Sequence, residues 1–232
     1  MRVLFDHSVR QDAIRAEHGF MQEQDELYGK PYTYLKLHTR VRPPRNDWRQ
    51  TEIDCLPFIA RLINEGKILP FTTDELRAEE FRALKYPSPH LEDIFTDVKF
   101  ERLRPPLDRS KWGLSIDQYC SKEAVISYCE GFLLSPSNQR VETFIQEMRR
   151  NTRITLSEFE ERCLCRLNVF KDTCKGIDRI HYPDALHLWT AEENGIDVFL
   201  TVDKKFRNVI ERQKIDIQCR VLFPFGLKSE LS

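Results

Sequence analysis

Short apolar runs alternate along this chain with longer segments in which apolar residues recur every three or four positions. Between the runs, helix start signals and apolar stripes predict helices. Such an order predicts an α/β fold in which helices cover both faces of a mostly parallel sheet. The runs that have the length and apolar content of buried strands lie at residues 3–5, 67–71, 97–103, 198–200 and 219–223.

The helix predictions rest on capping signals and on spacing. Ser8 and Gln11 have the spacing of a capping box and predict a helix that stops near Gly19, whereas residues 20–47 show no clear period. Thr72 and Glu75 have the same spacing at the start of a later helix. Further helices are predicted at 51–64, at 72–85 and in a mainly helical block at about 104–175, with start signals at Ser115 and Ser157 and an apolar stripe over Val141, Phe144, Ile145 and Met148.

Two aspartates frame the last helix-strand unit. Pro183 and Asp184 suit a helix start and Gly195 suits its end, before the apolar run 198–200 that closes at Asp203. About eleven helical residues rise roughly 16 Å and five strand residues extend roughly 17 Å, so the chain returns to where it began. The spacing therefore predicts that the two carboxylates meet. The alternative is a helix cap at Asp184 and a turn residue at Asp203.

Two more acids belong to the same edge of the predicted sheet. Asp6 follows the first strand and Glu79 lies on the helix after the second, and the carboxyl ends of parallel strands share one side. Glu75 has a sufficient capping role, and Glu80 on a neighbouring helix face is the weaker alternative to Glu79. Ionised carboxylates that approach closely repel unless one keeps a proton or a cation lies between them. Carboxylate oxygens suit Mg²⁺ or Mn²⁺.

Composition narrows the class of protein. The 232 residues carry 36 basic and 37 acidic side chains, so net charge neither requires nor excludes nucleic acid. No apolar run approaches the length of a membrane span and the N-terminus lacks the form of a signal peptide, so we expect a soluble, cytoplasmic protein. Seven cysteines then predict reduced thiols in the core. A zinc site is the disfavoured alternative because there is no CxxC pair; its ligands would be Cys163, Cys165, Cys174 and His181.

Basic residues beside an acidic centre would contact a polyanionic substrate. Two segments of the form RxRPP, at 40–44 and 102–106, contain arginines whose forked donors suit phosphates. Trp48 or Trp112 would stack an unpaired base, and His187 would touch a phosphate or orient an acid. The alternative is a solvated basic face, tryptophans in the core and a histidine packed between helices. The candidate substrate contacts are Arg40, Arg42, Arg102, Arg104, Arg179, His187 and Lys204.

The chain resembles the PIN-domain nucleases. The resemblance is carried by "VLFD" at the first strand, "FTTDELRAE" after the second, "YPDALHLWTAE" and "DVFLTVDKKF". It implies a three-layer α/β/α domain spanning 1–232, with the motifs in 1–85 and 176–226 and the helical block at 104–175 as an insertion. The resemblance also implies a four-acid metal site at Asp6, Glu79, Asp184 and Asp203, supported by the hydroxyl of Thr201.

The function that follows is a metal-dependent endoribonuclease, either the toxin of a toxin–antitoxin pair or a defence effector. Mg²⁺ or Mn²⁺ would lower the pKa of a bound water and offset the charge that builds on the phosphate. Hydrolysis by water needs no ribose 2′-hydroxyl, so the mechanism does not separate RNA from DNA, and only the resemblance favours RNA. Two alternatives stay open: a noncatalytic module that binds nucleic acid or protein, and a structure-specific DNA nuclease. An antitoxin partner and the oligomeric state are also open.

Overall fold

Strands and helices alternate through the part of the chain that the computed structural model describes, which is residues 1–27, 29–45, 47–83, 90–112, 121–134, 138–150, 155–213 and 215–232. The strands there are β1 (Arg2–Phe5), β2 (Ile14–Leu27), β3 (Lys30–Val41), β4 (Leu69–Thr72), β5 (His90–Asp93), β6 (Glu101–Arg102), β7 (Val198–Leu200) and β8 (Arg220–Leu222). The α-helices are α1 (His7–Ala13), α2 (Asp47–Ile53), α3 (Leu56–Asn64), α4 (Asp74–Ala83), α5 (Lys122–Tyr128), α6 (Asn138–Arg150), α7 (Glu158–Cys165), α8 (Leu167–Cys174), α9 (Tyr182–Glu193), α10 (Lys204–Gln213) and α11 (Pro224–Leu231).

The central sheet is parallel throughout. Its strands lie in the order β6-β4-β1-β7-β8, and β1 at the centre pairs with β4 on one side and β7 on the other. All five belong to apolar runs from which strands were predicted, so the α/β prediction is confirmed. Helices flank the sheet, and none of the helices described is long and apolar enough to cross a membrane.

Side chains of the central strands alternate between two apolar layers, as a strand buried on both faces requires. Leu4 and Phe199 point into a layer formed with α4 through α10. Val3, Phe5 and Val198 point into the opposite layer, formed mainly with α1, α3 and α11. The sheet is therefore covered on both faces, and its strand ends are the places where polar side chains gather.

Most of residues 20–47, where the sequence shows no clear period, belong to a long antiparallel hairpin. β2 and β3 pair from Ala16 with Val41 to Leu27 with Lys30, and β5 joins the base of β2 to form a second sheet. The helix predicted to start near Ser8 is present as α1, but its predicted end near Gly19 is wrong, because α1 ends at Ala13. Polar residues dominate β2, so alternation of apolar positions did not reveal it.

The other helix predictions are largely correct. The helix expected at 51–64 is divided into α2 and α3, and Pro57 lies in the first turn of α3, where its missing N–H costs nothing. Gly66 follows with a φ of 71°, and Gly195 after α9 with a φ of 63°, so both glycines end helices as predicted. The cap of α4 is Thr73, whose Oγ1 accepts from Leu76 N at 3.0 Å. The capping box predicted at Thr72 is wrong.

The helical block contains α5 to α8 within the described residues and ends at Cys174, as expected. Its clearest start signal is confirmed: Ser157 Oγ accepts from Glu160 N at 3.3 Å, and Glu160 Oε2 accepts from Ser157 N at 2.8 Å. In the stripe of α6, Val141 and Ile145 are buried. The side chains of Phe144 and Met148, and the start signal at Ser115, lie outside what the structure describes.

Candidate metal centre

Asp6 is placed by the central pair of strands. It follows β1, and its backbone N donates to Leu200 O at 2.9 Å, which continues the pairing of β1 with β7. The side chain is 5% exposed and accepts hydrogen bonds from Ser8 Oγ and, at 2.7 Å, from Thr201 Oγ1. Ser8 therefore holds Asp6 and forms no capping box with Gln11, which corrects the sequence prediction. The hydroxyl of Thr201, to which the resemblance assigns a supporting role, thus donates to Asp6.

Asp184 and Asp203 meet at the same edge. Asp184 lies in the first turn of α9, while Asp203 lies between β7 and α10. His181, just before α9, is close to both: its Nδ1 is 2.9 Å from Asp184 Oδ2 and 3.8 Å from Asp203 Oδ2. One ligand atom from each of these three residues lies within 4.8 Å of the others. The length argument for the helix-strand unit therefore predicted the meeting correctly.

Glu79 is the acid of α4 that interacts with this group. Its Oε1 lies 3.4 Å from Nε2 of His187, which is 1% exposed and lies one turn after Asp184. The charge of Glu79 acts on both Asp6 and Asp184. Because His187 is buried against Glu79, its position fits the orientation of an acid and not contact with a phosphate.

The two alternatives to Glu79 have other partners. Glu75 forms a buried, two-pronged ion pair with Arg109, at 2.7 Å and 2.9 Å. Glu80 lies 3.5 Å from Arg10 at a partly exposed position. Glu75 therefore stabilises the attachment of the helical block to α4 and has no capping role, which corrects the prediction made from its spacing with Thr72.

Burial and nearby acids raise the pKa of two carboxyls of this group, Asp6 and Asp184. Burial raises the pKa of Asp6, the hydrogen bonds from Ser8 and Thr201 counteract it in part, and the charge of Glu79 adds to it. Burial raises the pKa of Asp184 to about 6; the hydrogen bond with His181 opposes this change and the charge of Asp6 adds to it. Burying these carboxyls costs more free energy than placing isolated acids on the surface, whether they are protonated or ionised. A divalent cation bound between them would offset that cost.

The acids also raise the pKa of the two neighbouring histidines. The hydrogen bond with Asp184 raises the pKa of His181. Burial acts to lower the pKa of His187, but its hydrogen bond with Glu79 and the charges of Asp184 and Asp6 raise it overall. The negative charge at this edge of the sheet therefore acts on both histidines.

The predicted basic contacts are dispersed. Arg179 is held by Glu123 and Glu130 at 2.7 Å and 3.0 Å, and Arg102 lies 3.5 Å from Asp74. The remaining positions are varied: Arg42 donates to Gln11 O, Arg104 is exposed beside α7, and Lys204 lies 5.2 Å from the ring centroid of Trp48. Trp48 itself packs edge-on against Phe223, and the side chains of Arg40 and Trp112 lie outside the described part. Lys204 follows Asp203 directly in the chain and is the basic candidate tied most closely to the acids.

The cysteine-based zinc alternative finds no support among the residues described. Cys163 and Cys174 are buried and Cys165 is exposed, while His181 faces carboxylates. The three donors His181, Asp184 and Asp203 are the one group there whose geometry suits a metal ion. Oxygen and imidazole donors fit a divalent cation, and the fit rests on their separations and on the raised pKa of Asp184.

Reasoning from the sequence missed two members of the site. The sequence predicts a capping box at Ser8 and offers His181 only as a ligand of the disfavoured zinc site. The sequence does contain a signal for His181. It lies three residues before Asp184, and residues three apart at the start of a helix are neighbours on its surface.

No family model, curated protein or solved structure matches the chain.

Proposed function

We propose that this protein is a metal-dependent nuclease that hydrolyses phosphodiester bonds in RNA, on a domain of the PIN type. One observation supports the proposal: donor atoms of Asp184, Asp203 and His181 lie within 4.8 Å of one another at the carboxyl edge of one parallel sheet, and burial together with the charges of nearby acids raises the pKa of Asp6 and Asp184. Ligand sites of open α/β sheets lie at this edge. Acids with perturbed pKa values in such a position are candidates for a functional site.

Asp6, Asp184 and Asp203 would hold the cation, with Glu79 completing the site. A bound Mg²⁺ or Mn²⁺ supplies a nucleophile at neutral pH and offsets charge on the phosphate. The chain itself orients the acids before any substrate binds. Thr201 and Ser8 hold Asp6, as described above, and Phe206 N donates to Asp203 Oδ1 at 2.9 Å. Such preorganisation lowers the cost of assembling the site.

His187 and Lys204 complete the roles assigned to the chain. His187 positions Glu79 from the core side, at 3.4 Å. Lys204 is exposed next to Asp203 and would attract the phosphate backbone toward the acids. The charge of Lys204 carries no preference between ribose and deoxyribose, so the choice of RNA rests on the resemblance to PIN-domain nucleases.

The test is cleavage of end-labelled single-stranded RNA and DNA by purified protein in Mn²⁺, Mg²⁺ or EDTA, compared with Asp203→Asn. Asp172→Asn is the matched control, because Asp172 is a half-exposed acid on α8 that pairs only with Lys175 among the ion pairs described. We expect RNA cleavage that needs metal, disappears in Asp203→Asn and persists in Asp172→Asn.

Each other outcome has a definite meaning. Equal cleavage of DNA would replace the ribonuclease with a nuclease of broader or DNA-directed specificity. Cleavage that survives in Asp203→Asn would show that the acids do not form the active site. Absence of cleavage of either substrate, with RNA binding retained, would favour a noncatalytic nucleic-acid-binding module.

A further inference from the structure

His181 belongs to the acid site by geometry but has no part in the four-acid hypothesis. It closes the short 3₁₀ turn Arg179–His181, and its backbone N donates to Asp178 O at 2.9 Å. As the residue before α9 it makes no capping bond to the helix backbone through its side chain. Its ring is directed instead toward two carboxylates. A purely structural capping role therefore does not account for its position.

We propose that His181 is a direct ligand of the cation, together with Asp184 and Asp203, and that its imidazole makes the site select Mn²⁺ over Mg²⁺. This inference rests on the proposed function, since it assumes that the acids hold a divalent cation. It adds a nitrogen donor and a metal preference to that function.

The separations fit ligands that share one ion. Donor atoms about 2.1 Å from a small divalent cation lie about 3.0 Å apart at right angles and about 4.2 Å apart on opposite sides. His181 Nδ1 lies 2.9 Å from Asp184 Oδ2 and 3.8 Å from Asp203 Oδ2. All three donor atoms lie within 4.8 Å of one another, close to this range.

The three side chains are also held and accessible as ligands should be. Asp203 uses Oδ1 to accept from Phe206 N at 2.9 Å, which leaves Oδ2 as the oxygen nearer to His181. The side chains of His181, Asp184 and Asp203 are 17%, 25% and 32% exposed. A cleft of about 220 Å³ opens beside His181, so this side of the imidazole faces open space.

The chemistry of the donors sets the preference. Mg²⁺ favours oxygen ligands and keeps its waters, whereas imidazole suits transition metals. Mn²⁺ accepts carboxylate oxygens as readily as Mg²⁺ does, but it also accepts a nitrogen donor. A mixed set of two carboxylates and one imidazole therefore favours Mn²⁺. A site made only of carboxylates would show a smaller difference between the two ions.

Pulsed electron paramagnetic resonance of Mn²⁺ bound to the full-length chain tests the direct bond. We expect nitrogen coupling of the strength given by a coordinated imidazole in the wild type, its loss in His181→Gln and its retention in Asp172→Asn. Asp172→Asn is the matched control because Asp172 lies on α8, outside the candidate site, and pairs with Lys175. Calorimetric titration should show Mn²⁺ affinity falling about tenfold or more in His181→Gln, with a much smaller change for Mg²⁺.

The outcomes separate this inference from the proposed function. Mn²⁺ binding that Asp203→Asn abolishes, but without nitrogen coupling in the wild type, would overturn the role of His181 and leave the acid site standing. Coupling that persists in His181→Gln would overturn it as well. A wild-type protein that binds no Mn²⁺ would overturn both. The wild-type spectrum is decisive even if a substituted protein fails to fold.

Discussion

Replacing Asp184 with asparagine tests whether the acids at the sheet edge destabilise the metal-free protein. Burial raises the pKa of Asp184 from its ordinary 3.8 to about 6, with the charge of Asp6 adding to the effect and the hydrogen bond of His181 opposing it. A difference of this size corresponds to about 3 kcal/mol. The side chain of Asp184 is 25% exposed, so solvent screens part of this free-energy difference. We expect about 1–2 kcal/mol after this discount.

The sign follows from the direction of the shift. Because the folded-state pKa lies above the unfolded-state value, the folded protein holds this proton more tightly. The stability that the proton contributes is fully present below about pH 4 and is lost as the pH rises through about 6. Asparagine keeps the shape of the side chain and an oxygen that accepts from His181, but it never ionises. Asp184→Asn should therefore be more stable than the wild type at pH 8.

Urea unfolding in EDTA at pH 8 and pH 5 measures this difference. The variant should exceed the wild type by about 1–2 kcal/mol at pH 8, and roughly half of that advantage should disappear by pH 5. Asp172→Asn should show neither effect, because its exposed carboxyl pairs with Lys175 outside the site. Mn²⁺ should stabilise the wild type and not Asp184→Asn. Equal stabilities at pH 8, or a less stable variant, would refute the argument that burial and the neighbouring acids raise the pKa of Asp184.

Three further predictions concern the scaffold. Arg109→Met should destabilise the fold by about 3–5 kcal/mol, because it leaves Glu75 buried without its partner; chemical denaturation measures this, and a change below about 1 kcal/mol would contradict it. Ser157→Ala should cost about 1 kcal/mol through loss of the capping box, and an unchanged urea midpoint would argue against that bond. Burial raises the pKa of the Cys163 thiol to about 12, so this thiol stays protonated at pH 8. Iodoacetamide at pH 8 should therefore label the exposed Cys165 far faster than Cys163 in the native protein, and peptide mass spectrometry measures the difference. Equal labelling of both thiols would show that the core opens readily.

The parallel sheet could be predicted because its central strands, β1 and β7, are buried on both faces. Such strands appear in a sequence as short apolar runs, and a carboxylate at the end of β1 or shortly after β7 then marks the edge where ligands bind. The helix-strand unit from Asp184 to Asp203 was equally accessible, since element lengths alone return the chain to its starting point. These predictions needed only local pattern and standard geometry.

The hairpin and the ion pair could not be found in the same way. β2 and β3 stabilise each other through twelve cross-strand pairs, while β2 has few apolar residues and no clear alternation. Glu75 meets Arg109 across 34 positions of sequence, so its local spacing with Thr72 suggested a cap that does not exist. Long-range pairing of this kind leaves no periodic signal in either segment.

Two helix-start acids of this chain, Glu160 and Asp184, show how an acid of the scaffold differs from an acid of the candidate site. Glu160 caps α7 and is paired with Lys111 at 2.5 Å; burial opposes its ionisation, yet these hydrogen bonds lower its pKa. Asp184 also lies in the first turn of a helix, where the dipole favours a carboxylate, and it has a histidine partner at 2.9 Å. Its pKa is nevertheless raised, because burial and other acids outweigh both benefits. A helix cap needs no such crowding of carboxyls, whereas a cation between them would offset it.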